Sequence, residues 1–296
     1  MSLRVQYARP RNLGQAAELL GALGSGVMII AGGQELMPYI NYGKLDPSVL
    51  VDISALNELR GIESIDGMIS IGALTVHRDI QSDPLVNESA PLLADAAVQI
   101  GGGWQVQNQG TIGGNIVCMH PLYDIVPPLL VLGAEVEMQN TDGAHRTPLA
   151  ALIDDSSHQL GTSAVLTRVL VPEAPATAGW AYEKLKLTDG SYGSANAAAM
   201  VALDSGGKIQ SMRLVLGAVT EKPLDVSNSL EKLHGRMPGA EFGVAVEAAC
   251  IAAVKQPLSD QQGNAEYRQA MAGVVGRRAA AAAAQRAAKI GNAHGG

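Results

Sequence analysis

The segment "NQGTIGGNIVCMHPLYDIVPP", Asn108 to Pro128, places a glycine pair, two Asn, a His, an Asp, a Cys and three prolines within 21 residues. So many small and polar groups do not fill a core unaided. Its first part, "TIGGN" (Thr111 to Asn115), is equipped to hold an anion. Glycines lack Cβ atoms and let a ligand approach the backbone. Successive backbone N–H groups in such a turn form an anion-binding nest. Thr111 adds a hydroxyl donor and Asn115 an amide donor. A second glycine pair lies upstream in "IIAGGQEL", Ile29 to Leu36, where a short apolar run ends on Gly32-Gly33. Two nests could grip the two phosphates of one dinucleotide. Neither segment fits the Rossmann GxGxxG or the P-loop GxxxxGK[ST]. Taken alone, either also reads as a tight turn. The residues alone therefore give a two-loop phosphate binder unlike the common ones.

Outward from these segments the chain divides into units. Helical spacing over Asn12 to Leu23, an apolar strand over Gly26 to Gly33 and another over Ser48 to Ser54 predict a small βα-type lobe over residues 1–57. A second lobe is expected over 58–174. It opens with a hairpin around Asp66-Gly67. Thr75 reads as the N-cap of a helix starting at Val76, and Pro91 to Ile100 reads as another helix. A further hairpin is placed about Asp142-Gly143, and a strand ending at Pro172 closes the lobe. "PEAPATAG", Pro172 to Gly179, reads as a linker. A third unit, 178–288, has two strand runs around Ser205-Gly206-Gly207 and an alanine-rich helical end from about Glu241. That end reads as a terminal helix packed on the third unit's sheet. Residues 289–296 read as a frayed tail. No internal repeat is found.

Composition narrows the classes. The chain has 296 residues, 47% apolar and 17% charged, which suits a folded protein of two or three domains. Its net charge of −7 argues against nucleic acid as a partner. No apolar run reaches the ~18 residues that span a bilayer. The N-terminus has no signal-peptide core, so a cytoplasmic protein is expected. The two cysteines, Cys118 and Cys250, form no CxxC pair, and the six histidines are scattered without HxxxH or HExxH. No metal site is expected here, because an iron–sulfur cluster usually needs four thiolates. Cys118 reads as a packed thiol and His120 as a loop histidine. No catalytic nucleophile or acid–base dyad stands out.

Several segments together resemble the FAD-binding subunit of the molybdenum hydroxylases, over nearly the whole chain. "AGGQELMP" resembles that family's AGGHSLLP, and "GTIGGNIVCMHPLYDIVPPLLVLGAEVEM" resembles GTIGGNLANADPASDLPPALLALDAEV. "YARPRNLGQAAELL", "YEKLKLTDGSYGSAN" and "MRLVLGAVTEKPL" resemble its opening helix, the start of its third domain and a later strand and turn. The resemblance implies an α+β fold. Its parts would be a two-lobed FAD-binding domain, shared in type with vanillyl-alcohol oxidase, and a C-terminal sheet-and-helix domain. It implies that Ala31, Gly32, Gly33, Gln34, Glu35 and Leu36 form a first FAD loop and that Thr111, Ile112, Gly113, Gly114 and Asn115 form a second. Asp124 would contact FAD sugar hydroxyls, and Lys184 and Tyr192 would lie near the flavin ring, with Lys184 favouring the reduced flavin. Pro121, Pro127 and Pro128 would set the backbone direction around this site.

The same resemblance implies a large partner subunit with a molybdenum cofactor and a small one with two [2Fe–2S] clusters, in a dimer of heterotrimers. Electrons would pass from those clusters through FAD to an external acceptor. The sequence departs from the family pattern at Glu35, usually Ser or Thr, and at Gln107 and Gln109, often arginine. It also departs at Asn41 and Gly43, with Lys44 one place off, and at Leu187 and Ser191. A carboxylate beside a diphosphate is repelled, so Glu35 must point away, pair with a cation or use its backbone N–H alone. Two other readings stay open. One is a stand-alone FAD-dependent reductase of the UDP-N-acetylenolpyruvoylglucosamine reductase type. The other is a noncatalytic nucleotide-binding module.

Overall fold

The computed structural model describes residues 5–24, 26–154 and 164–294. Three sheets organise it. The first is parallel, in the order β1-β3-β2, from Gln6–Ala8 (β1), Val27–Ile30 (β2) and Val49–Asp52 (β3). Helix Leu13–Leu23 links β1 to β2. Asn12 starts it by accepting the Gln15 N–H at 2.9 Å, and Gly24 ends it at φ +63°. Ala16, Leu20, Val27 and Val51 form the small core beneath.

The second sheet is antiparallel and has five strands. Ile62–Ile65 (β4), Met68–Gly72 (β5), Glu135–Asn140 (β6), Gly143–Pro148 (β7) and Val165–Pro172 (β8) follow the order β4-β5-β8-β6-β7. Asp66 and Gly67 turn the first hairpin with φ +51° and +74°, the double positive φ that suits strand twist. The second hairpin turns one residue earlier than expected. Asn140 pairs with Gly143, so Thr141 and Asp142 form the turn. The Asn140 side chain accepts the Asp142 N–H there, which fixes the turn at that place. Part of the segment expected to lead into β8 lies outside the described residues.

The third sheet, β12-β11-β10-β9, is antiparallel and comprises Ala178–Lys186 (β9), Gly193–Leu203 (β10), Ile209–Gly217 (β11) and Leu224–Asp225 (β12). Helix Ala265–His294 lies across β9 and β10, and helix Ala240–Ala253 packs beside it. Alanine is the residue this packing needs. A methyl on Gly179 would overlap the backbone of Ala283 and Ala287, so helix and strand touch main chain to main chain. The helix continues through Gly291 to His294, where a frayed tail was expected. Arg268 is fully buried within this domain. Its guanidinium donates to the carbonyls of Ser194, Ala218 and Gly263 and pairs with Asp260. Buried charge is tolerated only when satisfied in this way.

Polar contacts fasten the third domain to the second lobe. Arg286 donates to Asp95 at 2.9 Å and lies over the Trp180 ring, whose Nε1 also donates to Asp95. Arg213 donates to the Leu130 carbonyl at 2.8 Å. The buried helix Val126–Leu132 fills the space between β8 and β10–β11, and its Pro127 and Pro128 stand in the first turn, where a missing N–H costs nothing. Among the described residues no helix is long and apolar enough to cross a membrane.

Candidate functional site

A cavity of about 750 Å³ runs between the first two lobes and reaches the third domain. That size suits an organic ligand or cofactor. Apolar side chains on its wall include Met28, Ile29, Ile53, Leu74 and Leu166. The stacked rings of Tyr123, His120 and Tyr192 line it as well, as do Gly101 and Gly190. All of Ala31, Gly32, Gly33, Gln34, Glu35 and Leu36 line it too.

The first glycine segment is an open loop between β2 and helix Leu36–Asn41. Gly33 sits at φ +67°, where a side chain would be strained. Gly32 is glycine for a different reason. A methyl there would overlap the Gln109 carbonyl oxygen, so this loop rests directly on the chain entering the second segment. The backbone N–H groups of Gly32, Gly33, Gln34, Glu35 and Leu36 find no acceptor among the described residues. Unpaired donors in consecutive residues along a cavity wall are what an anionic ligand needs.

The second glycine segment corrects the expectation of a loop nest. Ile112–Cys118 is an α-helix, with Thr111 as its N-cap. Its N–H groups are already spoken for. Ile112 donates to Thr75 O, Gly113 to Ala73 O, Gly114 to Thr111 Oγ1 and Asn115 to Thr111 O, at 2.9–3.1 Å. Ile112 faces the core rather than the cavity. Thr111, Gly113, Gly114 and Asn115 do line the cavity, and Asn115 Oδ1 is buried without a partner among the described residues. Thr75 does not cap the preceding helix either. Its hydroxyl is held by the N–H and C=O of Gly61, so helix His77–Ser82 begins one residue late, from Val76.

Asp124 and Lys184 were expected to act separately on a ligand, and the structure pairs them with each other. Lys184 Nζ donates to Asp124 Oδ2 at 2.8 Å and to Gln99 O at 2.9 Å, while the Tyr182 hydroxyl donates to Asp124 Oδ1 at 2.6 Å. Both charged side chains are sealed from solvent. Burial pushes the Asp124 carboxyl above its ordinary range, opposed by the Lys184 charge. Asp124 lines the cavity and Lys184 does not. The bare cation expected at the ring end is therefore a neutralised pair, and the Lys184 charge reaches the cavity only past its carboxylate partner. Removing one member would leave the other charge buried alone, at a cost of about 3–5 kcal/mol.

Glu35 finds a neutral partner, not a cation. The Tyr123 hydroxyl donates to its Oε2 at 2.5 Å. Burial foremost, with the neighbouring Cys118 and the hydrogen bond and charge of Glu35 behind it, drives the Tyr123 pKa far up, so this hydroxyl stays a donor. Tyr123 stacks on His120 with centroids 4.8 Å apart, and His120 on Tyr192 at 5.3 Å. Tyr192 closes this stack and lines the cavity. His120 and Cys118, read as a loop histidine and a packed thiol, both line the cavity, and burial pushes the Cys118 thiol up to about 11. Sequence reasoning missed Tyr123, Tyr39, Val106 and His77 on the cavity wall. Tyr123 adjoins Asp124 in the segment singled out first, and that adjacency was the available signal.

These features fit FAD. The unpaired N–H row suits a diphosphate, Asn115 Oδ1 can take a donor, and stacked flat rings and apolar side chains share the wall.

Comparison with known proteins agrees. Residues 3–174 match the FAD binding domain in molybdopterin dehydrogenase, and residues 180–283 match the CO dehydrogenase flavoprotein C-terminal domain. The carbon monoxide dehydrogenase medium chain of Hydrogenophaga pseudoflava is 35% identical over 96% of this chain and 99% of its own. That of Afipia carboxidovorans is also 35% identical, over 95% and 97%. The solved carbon monoxide dehydrogenase from Hydrogenophaga pseudoflava that lacks the Mo-pyranopterin moiety superposes with a TM-score of 0.91 at 34% identity, over 97% of this chain and 99% of that one. The chain belongs to the FAD-binding medium subunits of the molybdenum hydroxylases, oxidoreductases of the xanthine dehydrogenase and CO dehydrogenase family.

Proposed function

We propose that this chain is the electron-transfer subunit of a cytoplasmic molybdenum-containing hydroxylase. It would stand between [2Fe–2S] clusters on a small subunit and an external acceptor, with the molybdenum cofactor on a large subunit, in a dimer of heterotrimers. The observation that carries this reading is the cavity itself, which joins an N–H-lined wall to an aromatic wall built partly from the third domain. FAD, when bound, supplies the redox chemistry, and this chain supplies binding and electrostatics.

The N–H groups of Gly32 to Leu36 would hold the diphosphate. Met28, Ile29, Leu74 and Leu166 would shield the adenine end. Tyr192, His120 and Tyr123 would border the flavin ring. Thr111, Gly113 and Gly114 shape the facing wall, with helix N-terminal polarity behind them. Tyr123 keeps the Glu35 carboxylate engaged and away from phosphate charge. The Asp124–Lys184–Tyr182 network fixes the third domain against the second lobe, so the aromatic wall keeps its shape. Among the described residues no cluster of His, Cys, Asp or Glu could hold a metal.

Purification from the source organism tests the proposal. Native mass spectrometry should show a heteromeric complex, with a flavin absorbance spectrum and with iron and molybdenum in the same species. A monomer that turns over its own organic substrate would replace this reading with the stand-alone reductase. A colourless protein would replace it with a nucleotide-binding module.

A further inference from the structure

His77 carries two ring nitrogens that the fold does not use. The residue is 2% exposed, and its backbone N–H donates to Gly110 O at 3.1 Å. Nδ1 is sealed from solvent and has no hydrogen-bond partner among the described residues. Nε2 has no partner there either, but it is not sealed, and the residue lines the cavity. Gly110 borders this ring edge, where a methyl would also meet the Val106 carbonyl oxygen at 2.7 Å. A methyl at that position would come within 3.1 Å of Nε2 and 3.0 Å of Cδ2, so glycine leaves this ring edge uncovered. Burial holds the imidazole neutral, with its pKa lowered to about 4. A neutral imidazole has one N–H and one lone pair. Orphaned buried N–H groups are rarer than under-satisfied acceptors, which favours the bare lone pair at sealed Nδ1 and the proton at Nε2. A donor therefore opens into the cavity.

The position of this donor narrows what it meets. Gly110 follows Gln109, whose carbonyl rests on Gly32 of the first loop. His77 thus stands beside the junction of the two glycine segments, on the cavity wall. We propose that His77 is a cofactor-binding residue, whose Nε2–H donates to an oxygen in the diphosphate–ribityl stretch of FAD. This rests on the FAD reading above. It gives the buried ring the partner that the protein itself withholds.

The test uses the full-length chain stripped of flavin and titrated with FAD, read by quenching of flavin fluorescence. His77→Phe keeps the ring volume and removes the donor, and His77→Gln places an N–H at similar reach. His77→Phe should weaken FAD binding about tenfold while the flavin-free protein melts at or above the wild-type temperature. His77→Gln should recover most of the loss. Binding by His77→Phe within twofold of wild type overturns the proposal, and so does a His77→Gln variant as weak as His77→Phe. If His77→Phe does not fold, ¹⁵N imidazole spectra of the wild type decide. The His77 Nε2 resonance should shift on adding FAD, and an unmoved resonance overturns the role. A wild-type chain that binds no FAD removes both this inference and the reading beneath it.

Discussion

Along Gly32 to Leu36, five consecutive backbone N–H groups have no acceptor among the described residues, whereas along Ile112 to Asn115 all four are taken. Both segments carry a Gly-Gly pair, and both border one cavity. In the first, Gly33 supplies a positive φ that keeps the chain out of a helix and leaves its donors unpaired. In the second, the glycines are helical, and their small size lets a helix start close against the β5–β8 layer. A glycine pair thus marks a place where backbone comes close to something. The hydrogen-bond inventory, not the pair, tells whether that something is a ligand or the protein's own chain.

The harshest test of this contrast is Gly32→Val. Its side chain would overlap the Gln109 carbonyl, a backbone atom that no rotamer change can move aside. The two segments would be forced apart, costing about 3 kcal/mol or more, above the usual overpacking range. Urea unfolding should show that loss together with loss of FAD. Wild-type stability would mean that the two segments do not rest on each other.

The second pair can be split. Gly113→Ala would place its methyl 2.8 Å from both the Cβ and the carbonyl oxygen of Ala73. That would disturb the Gly113–Ala73 hydrogen bond, and a cost of roughly 1–3 kcal/mol is expected. Gly114 is exposed on the cavity wall, with only Thr111 Oγ1 close, at 3.0 Å. Gly114→Ala should gain up to about 1 kcal/mol of stability from helix propensity and lose several-fold in FAD affinity. Chemical denaturation and flavin titration on the two variants separate fold from binding. Equal stability losses in both variants would break the assignment of packing to Gly113 and ligand contact to Gly114.

How much of this was legible depends on range. The capped helix Leu13–Leu23, the buried strands and the Asp66-Gly67 hairpin follow from local pattern, and local pattern showed them. The helical start at Thr111 was hidden behind its glycines, which lower helix propensity. It forms because Ala73 and Thr75 carbonyls accept its first N–H groups, a tertiary contact across more than thirty residues of chain. Lys184 and Asp124 were both singled out, yet their pairing spans 60 positions, and no single-sequence spacing rule reaches that far. Arg268 and His77 were invisible for the same reason, since only the fold buries them.

The smallest predicted effect concerns what holds the first segment, given that its backbone bonds do not. Besides the contact at Gly32, the Tyr123–Glu35 hydrogen bond ties it to the second lobe. Tyr123→Phe keeps the ring stack on His120 and Tyr192 but removes the donor. The Glu35 carboxylate is half-buried, so water can partly replace the lost bond. A stability loss of about 1 kcal/mol is expected. The FAD effect has a separate origin. A released carboxylate can turn toward the diphosphate, and repulsion there should weaken binding about fivefold, less so at high salt. Glu35→Gln in the Tyr123→Phe background removes that charge and should restore affinity without restoring the tether. Recovery of affinity in the double variant, alongside unrecovered stability, would separate the two roles of Glu35. If the double variant binds FAD as weakly as Tyr123→Phe alone, charge is not the cause, and the tether matters by holding the loop's shape.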